Sequence, residues 1–112
     1  MAAKPPRVDD RRPIMALLER LGRRWTLRIL WELRDGALTS RALRVAAGDI
    51  SPTVLQARVN ELREARIIEL GAAGYQLTAM GGELLDAFAP LYRFADRWAF
   101  ALQETDGPLA ES

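Results

Sequence analysis

Residues 50–68 read ISPTVLQARVNELREARII. Ser51 is a good helix N-cap, because its hydroxyl can accept from a backbone N–H of the first turn. Pro52 follows at the first helical position, where a missing N–H costs nothing. The spacing predicts a helix over about residues 52–65. At about 100° per residue, Leu55, Val59 and Leu62 share one narrow side. Thr53, Gln56, Ala57 and Asn60 share the other, with Arg58 and Arg63 on the flanks.

Such a helix buries a seam and offers small or polar side chains outward. One reading is an ordinary amphipathic helix with a solvated face. The other is insertion into the major groove of double-stranded DNA. There Gln and Asn can read adenine edges, Ala and Thr can touch thymine methyls, and flanking Arg can hold phosphates.

The segment before this helix favours the second reading. Thr39 or Ser40 can cap a helix over about residues 40–47, with Leu43 and Ala46 facing inward and Gly48-Asp49 breaking it. Two helices joined by a short turn, the second with a groove-reading face, make a helix-turn-helix. Further upstream, Pro13 can open a helix to about Leu21, with Ile14, Leu17, Leu18 and Leu21 on one face and Gly22 at its end. Trp25 to Leu33 reads as a helix apolar almost all round, placed at the centre of the core and stopped by Asp35-Gly36.

Downstream the period changes to two. The runs at residues 67–70 and 75–77, separated by Gly71-Ala72-Ala73-Gly74, predict a tight β-hairpin. Thr78 can cap a further helix that passes Leu84, Leu85 and Phe88 and meets Pro90. It then continues with a kink, or restarts, through Leu91, Phe94, Trp98 and Leu102 to about Gln103. The expected fold is mainly α with a small β-hairpin. One domain over residues 13–103 is expected between a flexible arm (1–12, with Pro5 and Pro6) and a tail (104–112).

Composition narrows the function. The chain has 112 residues, enough for one domain with one core. No apolar run approaches the ~20 residues of a membrane span, and Met1 to Arg7 lacks the apolar core of a signal peptide. A cytoplasmic protein is the expectation. There is no Cys and no His. Disulfides and thiolate or imidazole metal sites are therefore excluded, and no cofactor is expected. Catalysis would fall to carboxylates, Lys4, Ser or Tyr, and no Gly-rich phosphate loop or paired-acid constellation appears, so an enzyme is not expected. The net charge of +1 hides an asymmetry. Residues 1–70 hold 14 Lys/Arg and 9 Asp/Glu, a balance of +5; residues 71–112 hold 2 and 6, a balance of −4. Such asymmetry suggests a basic working face and a separate acidic part; the alternative is chance segregation on a small domain.

The order of elements and several motifs coincide with one family. The motifs are Leu21-Gly22-Arg23-Arg24-Trp25-Thr26-Leu27, Ile29-Leu30, Leu33 through Asp35-Gly36, Ile50-Ser51-Pro52 with Val54-Leu55, Arg58, Leu62, and Tyr75 through Gly81. On these residues the chain resembles the HxlR-type winged helix-turn-helix transcription regulators of bacteria, over about residues 13–100. The resemblance implies a DNA-binding homodimer. The helix after Ile-Ser-Pro would be the recognition helix, the hairpin the wing, and the first and last helices the dimer interface. The chain departs from the family in three places. Its wing loop is short and carries no cation; no thiol precedes the first helix, where many members have Cys and this chain has Arg12; and Ser40 stands where an aromatic residue often opens the third helix.

The residues expected at DNA are Ser51, Pro52, Thr53, Gln56, Ala57, Arg58, Asn60 and Arg63, with Arg24, Arg41 and Arg44 as backbone contacts. Arg58 is the first candidate for a phosphate; its alternative is a stem covering apolar surface and a head paired with Glu61 or another acid. Trp25 and Trp31 are expected in the core. Leu91, Phe94, Trp98 and Leu102 are expected at the dimer interface, because a terminal helix this aromatic must bury itself against something, and Ile14 and Leu17 of the first helix join them as the resemblance implies. A small aromatic effector held in the dimer cleft is a further candidate partner. The competing function is a winged-helix dimer that has lost DNA binding and contacts another protein.

Overall fold

The computed structural model describes residues 12–105. Five helices and one hairpin follow in the order α1 (Pro13–Leu21), α2 (Thr26–Glu32), α3 (Ser40–Ala46), α4 (Pro52–Glu64), β1 (Ile68–Gly71), β2 (Gly74–Leu77) and α5 (Ala79–Thr105). This is a winged helix-turn-helix, mainly α with one antiparallel hairpin. Most of the expected arm (1–12) and tail (104–112) lies outside the described residues. At their inner ends, Arg12 precedes α1 and α5 runs to Thr105.

The caps follow the sequence. Ser51 Oγ accepts from the Val54 N–H at 3.1 Å and Thr39 Oγ1 from the Ala42 N–H at 3.1 Å. Thr78 Oγ1 accepts from the Gly81 N–H at 3.0 Å and donates to the Arg66 carbonyl at 2.7 Å. One hydroxyl thus starts α5 and ties it to the exit of α4.

The core sits where α2 meets α3, α4 and the hairpin. Ile29, Leu30 and Leu33 of α2 and its exit are buried with Leu43, Leu55, Val59, Leu62 and Ile68. The helix is central, as expected, but the expectation that Trp31 lies in the core is corrected: Trp31 is exposed, and so is Leu27. Among the described residues that side is only partly covered: Trp31 leans on Tyr92 of α5 with ring centroids 4.8 Å apart, and the Arg34 guanidinium lies over the Trp31 ring at 4.1 Å. Trp25 is half-buried and holds φ 79°, a left-handed conformation uncommon for a bulky residue. Its ring lies beside Gly48 in the helix-turn-helix turn, so α2's start and the α3–α4 turn are packed together.

The hairpin pairs Ile68 with Leu77 through Gly71 with Gly74, leaving Ala72-Ala73 as the tip. An isolated bridge adds to the two-stranded hairpin, a contact for which the sequence gives no local signal. Leu38 bridges Tyr75, with N–H to carbonyl bonds of 3.0 and 2.8 Å in the two directions. Gly74, at φ 125°, permits this approach: a Cβ there would overlap the Leu38 carbonyl.

α5 is one continuous helix of 27 residues with Pro90 inside it. Its first half packs Leu84, Leu85 and Phe88 on the core. From Pro90 to Glu104 every residue is exposed. No helix among the described residues is long and apolar enough to cross a membrane.

Candidate nucleic-acid interface

α4 is anchored along one side and open along the other. Leu55, Val59 and Leu62 are buried, as the heptad-like seam requires. Ser51, Pro52, Thr53, Gln56, Asn60 and Arg63 are exposed, and Ala57 is half-buried. At the centre of the open face Gln56 Nε2 donates to Asn60 Oδ1 at 2.9 Å. The face carries no acidic side chain between Ser51 and Asn60.

The arginines divide into two groups. The Arg41 and Arg63 side chains are exposed and have no hydrogen-bond or ion-pair partner among the described residues. Arg24 is exposed with its guanidinium over the Trp25 ring, 5.2 Å from the centroid. These three project cations. Arg58 and Arg44 are engaged within the protein. The Arg58 side chain is only 17% exposed and its Nη1 lies 2.7 Å from Glu61 Oε1. Its Nε is buried without a hydrogen-bond partner. Glu61 also faces Arg23, at 3.7 Å, so one carboxylate joins α4 to the loop before α2. In the free subunit the Arg58 head is thus paired, as in the alternative reading of this residue. Arg44 Nε donates to the Ile50 carbonyl at 2.9 Å, and its Nη2 meets Asp49 Oδ1 at 3.1 Å. Arg44 is therefore a clamp on the turn that aims α4, and not a free cation at its edge. The Arg23–Glu61 pair and this clamp were the parts least visible in the sequence. The spacing of Arg58 and Glu61 signals their pairing, but Arg23 and Ile50 come near only through folding.

The wing adds little positive charge. Its tip is Ala72-Ala73, and on the hairpin Gln76 Nε2 donates to Glu69 Oε2 at 2.9 Å.

The residues expected at a subunit interface mostly lie together on open surfaces. Leu91, Phe94, Trp98 and Leu102 are exposed on α5, joined by Tyr92 and Phe100. Ile14 is exposed on α1 beside Met15 and Leu18. Leu17 instead is half-buried against this subunit's own core, because its side of α1 faces Ala65 and Leu84.

Comparison with known proteins agrees with this geometry. A family model described as HxlR-like helix-turn-helix matches residues 20–103. An uncharacterized HTH-type transcriptional regulator of Methanocaldococcus jannaschii is 28% identical over 88 residues, 75% of this chain and 83% of its own length. The crystal structure of quinone-bound YodB from B. subtilis superposes with a TM-score of 0.71 at 28% identity, covering 76% of this chain and 97% of that one. A transcriptional regulator from Enterococcus faecalis V583, described as of the MarR family, shares the fold with a TM-score of 0.75 at 22% identity, covering 91% of this chain and 99% of its own. The family match spans most of the chain and includes the helix-turn-helix, the wing and α5. The protein belongs to the HxlR-like helix-turn-helix family of DNA-binding transcription regulators.

Proposed function

We propose that the protein reads a specific DNA sequence as a homodimer, with α4 of each subunit in the major groove. The observation that carries this reading is the open face of α4, where Thr53, Gln56, Ala57 and Asn60 follow one another on a helix fixed by three buried residues. Amide side chains suit adenine edges, and Ala and Thr suit thymine methyls. Ser51 and Pro52 bring the helix N-terminus, with its partial positive charge, to the duplex. Arg24, Arg41 and Arg63 supply phosphate contacts. Dimerisation through α5, with α1 beside it, accounts for an exposed apolar half-helix that would be marginal alone in water. Two recognition helices roughly 34–36 Å apart then require an inverted-repeat site. Selecting bound fragments from random DNA tests the reading: an enriched inverted repeat is expected, and no enrichment over input sinks it.

A small planar effector fits the same architecture. YodB is seen with quinone bound, and the exposed aromatic residues of α5 would frame an apolar cleft in a dimer. This chain has no thiol, so its effector would be held without a thioether. A second reading, a winged-helix dimer that contacts another protein, draws on the uncharged wing tip and the internal pairing of Arg58. Duplex competition at several salt concentrations separates the two.

A further inference from the structure

We infer that Gln56 and Asn60 act as one reading unit, with Asn60 fixing the polarity of the Gln56 amide. The inference rests on the proposed placement of α4 in the groove. Both side chains are exposed, so they could each point freely into solvent. Instead Gln56 Nε2 donates to Asn60 Oδ1 at 2.9 Å, an i,i+4 pairing along the centre of the open face.

This bond decides which donors and acceptors remain. Gln56 keeps Oε1 as an acceptor and one N–H as a donor. An acceptor beside a donor matches adenine, which offers its N6 amino group and its N7 acceptor in the major groove. Were the Gln56 amide free to rotate, the same side chain could present its two groups in either order and would discriminate less. Asn60 spends one lone pair of Oδ1 on Gln56 and keeps both Nδ2 hydrogens. Its two free donors outnumber the one lone pair left on Oδ1, so its outward character is mainly that of a donor. A donor selects a base with major-groove acceptors and no amino group, which means guanine or thymine. The two residues are about 6 Å apart along the helix axis, within one to two base-pair steps. The unit therefore calls for an adenine and, within two steps of it, a guanine or thymine on the edge facing Asn60. Asn60 is a positioning residue for Gln56 as well as a reader in its own right.

The experiment uses the full chain and the site it selects from random DNA. Affinities of the wild type and of Asn60→Asp, Asn60→Ala, Gln56→Ala and the double alanine variant are measured on duplexes altered at each position of the half-site. Asn60→Asp keeps an acceptor for Gln56 but replaces the outward donor by an acceptor. Adenine selectivity should survive, and the neighbouring preference should turn from guanine or thymine toward cytosine or adenine, whose amino groups donate. That turn is a change of base preference, which a merely structural role for Asn60 would not produce. Asn60→Ala should lower adenine selectivity although it leaves Gln56 in place. Each alanine variant should lose about tenfold or more on the selected site, and the double variant should lose clearly less than the two single losses multiplied together. Losses that multiply in the double variant overturn the unit, as does loss of adenine selectivity in Asn60→Asp. A wild type that selects no sequence at all overturns the groove-reading proposal itself, and this inference with it.

Discussion

Arg44 Nε donates to the Ile50 carbonyl at 2.9 Å, across the turn that joins α3 to α4. Its second nitrogen holds Asp49 at 3.1 Å, and Asp49 itself sits at φ 60°. The orientation of the recognition helix relative to α3 is thus fixed by a side chain of α3 and by the packing of Trp25 beside Gly48. Arg44→Ala should cost about 1 kcal/mol in stability, the lower part of the range for a charge-assisted bond because the side chain is about one third exposed. Chemical denaturation checks this; an unchanged midpoint would show that the turn holds without the clamp.

The two adjacent glycines of α5 should respond in opposite directions. A Cβ on Gly81 would overlap the Ile67 carbonyl, where the helix start presses on the exit of α4. A Cβ on Gly82 would meet nothing within 4 Å. Gly82→Ala should therefore stabilise by roughly 0.5–1 kcal/mol through helix propensity and reduced freedom of the unfolded chain. Gly81→Ala should destabilise by roughly 2 kcal/mol or more. Thermal melts of the two variants side by side give the comparison, and equal shifts would contradict it.

Salt dependence should separate the two groups of arginines. Arg41→Ala and Arg63→Ala should each reduce the slope of log affinity against log salt by about one unit per lost phosphate contact. Arg58→Ala should leave that slope nearly unchanged and lower stability instead, because its head is already paired with Glu61. A large slope change in Arg58→Ala would mean that the pair opens on DNA and Arg58 reaches the backbone.

Oligomeric state should depend on the exposed half of α5. The Trp98 side is open in the single subunit, with 55% of the residue exposed. The intact chain should sediment as a dimer at micromolar concentration. Trp98→Arg and Phe94→Asp should shift it to monomer, because a charge buried in an apolar interface lacks a partner. A wild-type monomer would remove the inverted-repeat requirement together with the dimer.

A planar effector, if one is held by the α5 aromatics, should quench Trp98 in a chain carrying Trp25→Phe and Trp31→Phe, and should change DNA affinity by its unequal binding to the two states. Saturable quenching is expected from a panel of aromatic compounds. Quenching that never saturates, or saturates without any change in DNA affinity, argues against a regulatory site.

Local signals fixed most of the elements. Ser51-Pro52 starts α4, Thr39 starts α3, Thr78 starts α5, and glycines bracket the hairpin turn. Each is a matter of neighbours within four residues, where hydroxyl capping and backbone sterics act without regard to the rest of the chain. The seam of Leu55, Val59 and Leu62 could likewise be read from periodicity, and with it the open face that carries Gln56 and Asn60. Tertiary structure decided what distant residues do to one another. Leu38 pairs with Tyr75, Arg44 is drawn to the Ile50 carbonyl, Glu61 gathers Arg58 and Arg23, and Leu17 turns into the core while Leu27 and Trp31 turn out of it. An arginine on a helix edge reads the same in sequence whether it is free or paired, because its long side chain can reach either solvent or a carboxylate brought close by folding. Which of the two occurs depends on the positions of other elements, and that is why Arg41 and Arg44, three residues apart on one helix, end in different roles.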